Sequence, residues 1–282
     1  MGRFERKVAL ITGGARGQGR SHALALAREG ADVALLDIAK GKAGHHVYRT
    51  AELADLERTA EDVRKLGRRA LAIPCDVTDE AQVQAAADKT ASELGGIDYV
   101  IANAAIYPPF AESWKISKKD WDSTLNVDLT GAWLSCKYTI PHVIARGRGG
   151  ALVLVASMAG IKPLPYNSDY VAAKHGVVGL GLTLAIELGP YGIRSNVLCP
   201  GAVDTPMVDA VAEENSLTRE QLLGQFENFD LLDAGAMKPE ESTTPAVLWL
   251  LSEDAKFYTG QVLTLDAGAS IRPVAWGKQG SG

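Results

Sequence analysis

Hydrophobic residues in this 282-residue chain recur in short runs, and amphipathic segments separate the runs. The first run, residues 7–12, leads into a glycine-rich turn, then into a segment with apolar residues at helical spacing that stops at Gly30. A second run follows at residues 32–36. Continuous apolar runs of about four to eight residues are typical of strands buried on both faces. Further strands are predicted at residues 69–75, 99–103, 151–157, 194–199 and 261–265, and further helices at residues 53–66, 80–94, 121–145, 170–189 and 243–252.

Alternating strands and helices predict an α/β fold, a single Rossmann-type doubly wound parallel sheet of seven strands with helices on both faces. Ligands of such sheets bind at the carboxyl ends of the strands. No linker interrupts the pattern, so we predict one domain over residues 1–282. Residues 40–50 form an insertion after the second strand, and residues 206–236 form a long mixed segment. Long insertions are commonly functional, and we interpret residues 206–236 as a cover over the substrate.

Composition argues against several classes of protein. The net charge is −5 without a basic cluster, which disfavours nucleic acid and anionic membranes as partners. No apolar run reaches the length of a membrane span, and the first strand begins too early for a signal peptide, so we expect a cytoplasmic protein. Cys75, Cys136 and Cys199 are interpreted as reduced core residues. The pair His45-His46 completes no metal site by spacing, and no metal is expected.

The first turn carries the pattern of a nucleotide site. Residues 12–19 read TGGARGQG between the first strand and the first helix, and Asp37 follows the second strand. Glycines let the backbone approach a pyrophosphate, which binds the N–H groups at the start of the helix. An acid about 20 residues on is placed to bind the ribose hydroxyls of NAD. The sequence therefore predicts an NAD site at this turn.

Tyr170 and Lys174 are spaced to share one face of a helix. A tyrosine is a poor base at neutral pH, but a cation held beside it favours the phenolate. Tyr170 is therefore a candidate acid/base. Ser157, at the end of a predicted strand, is a candidate second hydrogen-bond donor at a substrate oxygen.

With these motifs in one chain, the sequence resembles the short-chain dehydrogenase/reductase family over nearly its whole length. The resemblance implies an oxidoreductase in which Tyr170 is the acid/base, Ser157 binds the substrate oxygen and Lys174 holds the nicotinamide ribose. It also implies that Asn126 keeps a water in a proton relay to Lys174. The implied cofactor-binding residues are Gly13, Arg16, Gly17, Gln18, Gly19, Asp37, Ile38, Asp76, Val77, Asn103, Ala104, Tyr170, Lys174, Pro200, Gly201, Val203 and Thr205.

Within the family, residues 17–23 and the insertion after Asp37 look like the mycofactocin-associated, carveol dehydrogenase-like branch. That likeness implies a hydrophobic secondary alcohol or ketone as substrate, a retained NAD, and a redox partner that reoxidises bound NADH. The family likeness also implies a homotetramer. Apolar segments at residues 106–114, 158–165 and 207–229 predict a greasy pocket wall. Its aromatic members are Tyr107, Phe110, Trp114 and Phe226.

Two other functions stay open. The first is an NADPH-dependent 3-oxoacyl thioester reductase, because Arg16 is a basic residue in the glycine loop. Asp37 opposes it, since a carboxylate repels the 2′-phosphate, and NAD is favoured over NADP. The second is a non-catalytic nucleotide-sensing protein of the same fold, which the full set of predicted catalytic residues disfavours.

Overall fold

A seven-stranded, entirely parallel sheet forms the centre of the computed structural model, which describes residues 2–41, 49–227, 230–232 and 234–272. The strand order is β3-β2-β1-β4-β5-β6-β7, so the chain reverses its direction of winding between β1 and β4. The predicted fold class is confirmed, and each predicted strand agrees with an observed one to within two residues. The strands are β1 (Val8–Thr12), β2 (Asp32–Asp37), β3 (Ala70–Pro74), β4 (Tyr99–Ala102), β5 (Gly150–Val155), β6 (Ile193–Pro200) and β7 (Val262–Leu265).

Helices connect the strands and cover both faces of the sheet, each face with its own apolar cluster. The predicted helix at residues 121–145 is interrupted: a π-helical turn, Asn126–Thr130, separates two α-helices. Residues 206–236 contain two further helices. The helices are α1 (Gly17–Arg28), α2 (Leu53–Lys65), α3 (Glu80–Leu94), α4 (Lys118–Leu125), α5 (Gly131–Ala145), α6 (Ser168–Leu188), α7 (Pro206–Glu214), α8 (Arg219–Glu227) and α9 (Thr243–Leu251).

Helix α6 is the longest and the most informative of these. By length and mean hydropathy, the segment Ser168–Tyr191 could cross a membrane, which the sequence did not lead us to expect. It is nevertheless a core helix, because it buries Lys174 and packs closely on the sheet. A Cβ at Gly181 would lie 2.3 Å from a methyl of Val197 in β6, so only glycine allows this approach. The helix thereby carries its polar residues to the carboxyl ends of β5 and β6.

Candidate active site

The turn after β1 brings backbone, not side chains, to the switch point of the sheet. Gly13 has φ +68°, and a Cβ there would lie 2.9 Å from the Asn103 amide nitrogen. Gly17 has φ +54°, and its missing Cβ faces Thr205 at 3.3 Å. A Cβ at Gly19 would lie only 2.1 Å from the carbonyl oxygen of Gly13. Glycine is therefore required at all three positions. The positive φ requires it at Gly13 and Gly17, and the packing of α1 against the loop requires it at Gly19.

Asp37 holds the other side of this turn. Its Oδ2 accepts a hydrogen bond from the N–H of Ala15 at 3.1 Å, and its Oδ1 accepts one from the N–H of Ala39 at 3.3 Å. Burial raises the pKa of the Asp37 carboxyl, and these two backbone donors together with the charge of Arg16 oppose the rise. The Arg16 guanidinium itself donates to the carbonyl of Arg49. The carboxylate is thus fixed in position at the end of β2.

A cleft that encloses about 900 Å³ when the solvent space at its open mouth is included runs over the carboxyl ends of β1, β2 and β4. Its chemistry fits a dinucleotide. The N-cap of α1, Arg16, makes no side-chain cap, so the first N–H groups of the helix lack that partner, and Gly17 at the start of the helix lines the cleft. Gln18 also lines it, and its buried Oε1 has no hydrogen-bond partner among the described residues. The lining residues are Gly13, Arg16, Gly17, Gln18, Asp37, Ile38, Thr50, Ala51, Cys75, Asp76, Val77, Asn103, Ala104, Ala105, Ile106, Val127, Thr205, Pro206 and Met207.

Most of the expected cofactor residues therefore line one cleft. The exceptions are Gly19, Tyr170, Lys174, Pro200, Gly201 and Val203. Gly19 lies behind the loop, where it permits close packing. Pro200 is buried at the end of β6, and Gly201 packs against Asp266. Val203 pairs with Met237. Ile106, which the sequence predicted for the substrate pocket wall, lines this cleft, as does Val127, to which the sequence gave no role, and Cys75, which it assigned only to the core.

Tyr170 and Lys174 lie one turn apart on α6, and both are buried. The Lys174 ammonium lies 5.4 Å from the centre of the Tyr170 ring and donates to the carbonyl of Val155 at 3.5 Å. Ser157 follows β5, and its hydroxyl accepts a hydrogen bond from the N–H of Ala159 at 3.1 Å. A buried phenol beside a buried ammonium is an arrangement suited to proton transfer.

The structure does not bring the side chain of Asn126 to Lys174. That side chain is exposed, whereas Asp128 is buried, with its Oδ2 3.2 Å from the Lys174 Nζ. Two residues along a helix point about 200° apart, so only one of the pair can face α6. The family resemblance suggested Asn126, but the helix face that packs on α6 carries Asp128. The acid in an otherwise apolar stretch, between Val127 and Leu129, was the signal that could have identified it.

A second set of polar contacts surrounds the tyrosine. Asp169 accepts hydrogen bonds from the Thr124 hydroxyl at 3.1 Å and from the N–H of Tyr170 at 2.9 Å. Burial raises the pKa of the Asp169 carboxyl. The hydroxyl of Tyr107 donates to Asn167 at 3.1 Å. These contacts fix the start of α6, and with it the position of Tyr170.

The predicted aromatic wall is present only in part. The rings of Tyr107 and Tyr170 lie 4.7 Å apart between centres, and Phe110 meets Tyr107 edge-on at 6.0 Å. Trp114 is 82% exposed and does not belong to the wall, because the loop that carries it turns outward. The side chain of Phe226 lies outside the described residues.

The two segments that break the sheet pattern lie near the cleft. Helices α7 and α8 pack on each other through Val208, Val211 and Leu222, and Tyr107 packs against that cluster. In the insertion, residues 42–48, which include His45 and His46, lie outside the described residues. Its two ends are joined, because the N–H of Gly41 donates to the carbonyl of Ala51 at 2.9 Å.

Cys75, Cys136 and Cys199 are buried and free, as predicted. Within the described part of the chain, no three His, Cys, Asp or Glu residues come together as a metal site would require.

Comparison with known proteins identifies the family. A family profile described as Enoyl-(Acyl carrier protein) reductase matches residues 13–270. The chain is 40% identical to the (-)-trans-carveol dehydrogenase of Rhodococcus erythropolis over 96% of this chain and 100% of that one.

Two solved structures have the same fold. Carveol dehydrogenase from Mycobacterium avium in complex with NAD matches with a TM-score of 0.91 and 36% identity, over 96% of this chain and 100% of that one. A short chain dehydrogenase from Mycobacterium paratuberculosis bound to NAD matches with a TM-score of 0.86 and 35% identity, over 95% and 99%. The chain belongs to the short-chain dehydrogenase/reductase family of oxidoreductases.

Proposed function

We propose that this protein is an NAD-dependent dehydrogenase that interconverts a hydrophobic secondary alcohol and its ketone, with Tyr170 as the acid/base. The observation that carries the proposal is the buried pair of Tyr170 and Lys174, 5.4 Å from ring centre to ammonium. The carveol dehydrogenases among the relatives, one of them with NAD, support the substrate class and the cofactor.

The protein residues have separable tasks. The glycine loop and the start of α1 would hold the pyrophosphate, and Asp37 would bind the adenosine ribose through its carboxylate oxygens. NAD, when bound, supplies the acceptor for the hydride of the alcohol. Tyr170, as phenolate, takes the hydroxyl proton, and Ser157 donates a hydrogen bond to the same oxygen as charge develops on it. Lys174 keeps the phenolate favourable through its charge.

The rings around Tyr170 support an apolar substrate. The Tyr107 ring lies beside the Tyr170 ring at an angle of 45°, and it contacts Phe110 and the cluster on α7 and α8. Burial raises the pKa of the Tyr107 hydroxyl, so this ring stays neutral and presents an apolar edge. A charged sugar or nucleotide would lose its hydration here without ion pairs to replace it.

The branch likeness supports two finer proposals: NAD is held through many turnovers, and a separate redox partner reoxidises it. The family likeness supports a homotetramer, and the composition supports a place in the cytoplasm. A retained cofactor changes how activity must be measured, because added NAD would then exchange slowly. An artificial electron acceptor would restore turnover in that case.

The experiment is an assay of purified protein with NAD or NADP, with and without an artificial electron acceptor. The probes are carveol and a polar secondary alcohol, glycerol, as its matched control. We expect turnover of carveol with NAD at least about tenfold above NADP, and none with glycerol. No oxidation of carveol or other apolar secondary alcohols under either condition would contradict the proposal.

One observation favours a second candidate function, the NADPH-dependent 3-oxoacyl thioester reductase. Arg16 lines the cleft near Asp37, where a cation would suit the 2′-phosphate of NADPH. The same assay therefore includes NADPH with a 3-oxoacyl thioester, and reduction of that thioester would favour the reductase. NAD binding without any turnover would favour the nucleotide-sensing alternative.

A further inference from the structure

Asp128 has no role in the chemistry described so far, although it touches the ammonium on which that chemistry depends. Its side chain is fully buried, and its Oδ2 lies 3.2 Å from the Lys174 Nζ. Its Oδ1 accepts a hydrogen bond from the N–H of Ile106 at 2.9 Å. Among the described residues, Lys174 is the one cation that forms an ion pair with this carboxylate.

The π-helical turn at Asn126–Thr130 explains how this carboxylate reaches the site. The extra residue in that turn shifts the phase of the helix, so that Asp128 faces α6 while Asn126 faces solvent. A buried carboxylate is costly unless a cation and hydrogen bonds compensate it. Burial raises the pKa of the Asp128 carboxyl, and the charge of Lys174 opposes the rise.

We propose that Asp128 is a positioning residue that offsets part of the charge of Lys174 and thereby moves alcohol oxidation to higher pH. The inference rests on the proposed role of Tyr170. In oxidation the alcohol loses its hydroxyl proton to the Tyr170 phenolate and a hydride from carbon to NAD. A lone ammonium would favour that phenolate strongly, whereas a paired ammonium favours it less.

The geometry sets the size of the effect. Asp128 Oδ2 lies 3.2 Å from the ammonium, which lies 5.4 Å from the Tyr170 ring centre. At a separation of about 8 Å and an effective dielectric constant of about 20, one unit charge contributes about 2 kcal/mol, which shifts a titration by roughly 1.5 pH units. Removing the charge of Asp128 should therefore move the pH profile by about that amount.

Other titratable groups also face the pair of Asp128 and Lys174. Asp169 and Tyr170 come from α6, Tyr107 from the segment after β4, and Cys199 from β6. Burial raises the pKa of Cys199 to about 11 and keeps Tyr107 neutral as well, so neither carries charge at ordinary pH. Asp169 is held by Thr124 and by backbone, so its charge is common to all the variants below.

The test is the pH dependence of kcat/KM for carveol oxidation in the wild type and in Asp128→Asn. Asparagine keeps the shape and can accept the bond from Ile106, but it carries no charge. We expect the acid limb of the profile to move down by about 1.5 pH units, which is about thirtyfold in rate on that limb, while the plateau changes less. Asp128→Glu keeps the charge and should keep the wild-type limb.

Asp122→Asn is the matched control, since it removes one negative charge from exposed α4 and should leave the profile unmoved. If Asp128→Asn does not fold, Asp128→Ser removes the same charge. The inference would be overturned if the acid limb of Asp128→Asn lay within about 0.3 pH units of the wild-type limb, or at higher pH than that limb. Tyr170→Phe distinguishes failure of the proposed function from failure of this inference. If Tyr170→Phe stays active, Tyr170 is not the acid/base, and both are contradicted. If Tyr170→Phe is inactive but the acid limb of Asp128→Asn does not move, only this inference is overturned.

Discussion

The carboxylate of Asp37 accepts a hydrogen bond from the backbone N–H of Ala15, so the acid at the end of β2 is tied to the glycine loop after β1. The loop and the acid thus form one rigid unit at the switch point of the sheet. When NAD binds there, the glycine loop would hold its pyrophosphate and Asp37 would hold its ribose, and the hydrogen bond between Ala15 and Asp37 keeps these two elements together.

Asp37→Ala should weaken NAD binding and reduce discrimination against NADP. The change removes charge-assisted hydrogen bonds, each worth about 1.5–3 kcal/mol, and a repulsion against the 2′-phosphate. We expect the ratio of kcat/KM for NAD to that for NADP to fall tenfold or more. Glu61→Gln, an exposed change on α2, is the control. A ratio unchanged in Asp37→Ala would remove this residue from the site.

Gly19→Ala should damage the loop without touching a ligand directly. The new Cβ would meet the carbonyl oxygen of Gly13 at 2.1 Å, and both groups are backbone. We expect the free energy of unfolding to fall by about 1–3 kcal/mol and the Kd for NAD to rise. Denaturant unfolding and a binding titration measure these. Gly179→Ala, an exposed position on α6 where a Cβ has nothing within 4 Å, is the matched control and should not destabilise the chain. Equal stability of the two variants would contradict the packing argument.

His22 makes the fold sensitive to acid. Burial lowers its pKa to about 3, and its Nδ1 lies 2.8 Å from the Thr244 hydroxyl of α9. In the unfolded chain the pKa of His22 is about 6.5, so as the pH falls the unfolded chain binds a proton before the folded chain does. The contribution of neutral His22 to stability is therefore full above about pH 6.5 and is lost as the pH falls toward 3. We expect about 2 kcal/mol to be lost between pH 7 and pH 5 through this residue alone.

The check is to compare unfolding at pH 7 and pH 5 in the wild type, in His22→Leu and in His142→Gln. His22→Leu should show a smaller pH dependence, because leucine does not titrate, whereas His142→Gln changes a partly exposed histidine and should behave as the wild type. The same pH dependence of unfolding in all three proteins would mean that a group other than His22 causes the loss of stability at low pH.

The strands could be predicted from sequence because buried parallel strands are apolar on both faces and need no knowledge of their neighbours. The glycine loop and Asp37 could be placed for the same reason, since their geometry is local. Asp128 could not, because which face of a helix meets α6 depends on the phase shift of the π-helical turn. Trp114 was misplaced since residue type alone says nothing about the direction in which a loop turns.

The central claim is that Tyr170 transfers the proton, and Tyr170→Phe tests it most directly. The measurement is the single-turnover rate of NADH formation from carveol, together with the Kd for NAD in the same protein. The account predicts a rate lower by about 10²–10⁴-fold with the Kd nearly unchanged, because the phenol acts in the chemical step and not in holding the dinucleotide. Lys174→Ala, the comparison variant, should impair both quantities. A Tyr170→Phe protein that keeps more than about a tenth of the wild-type rate would contradict the account.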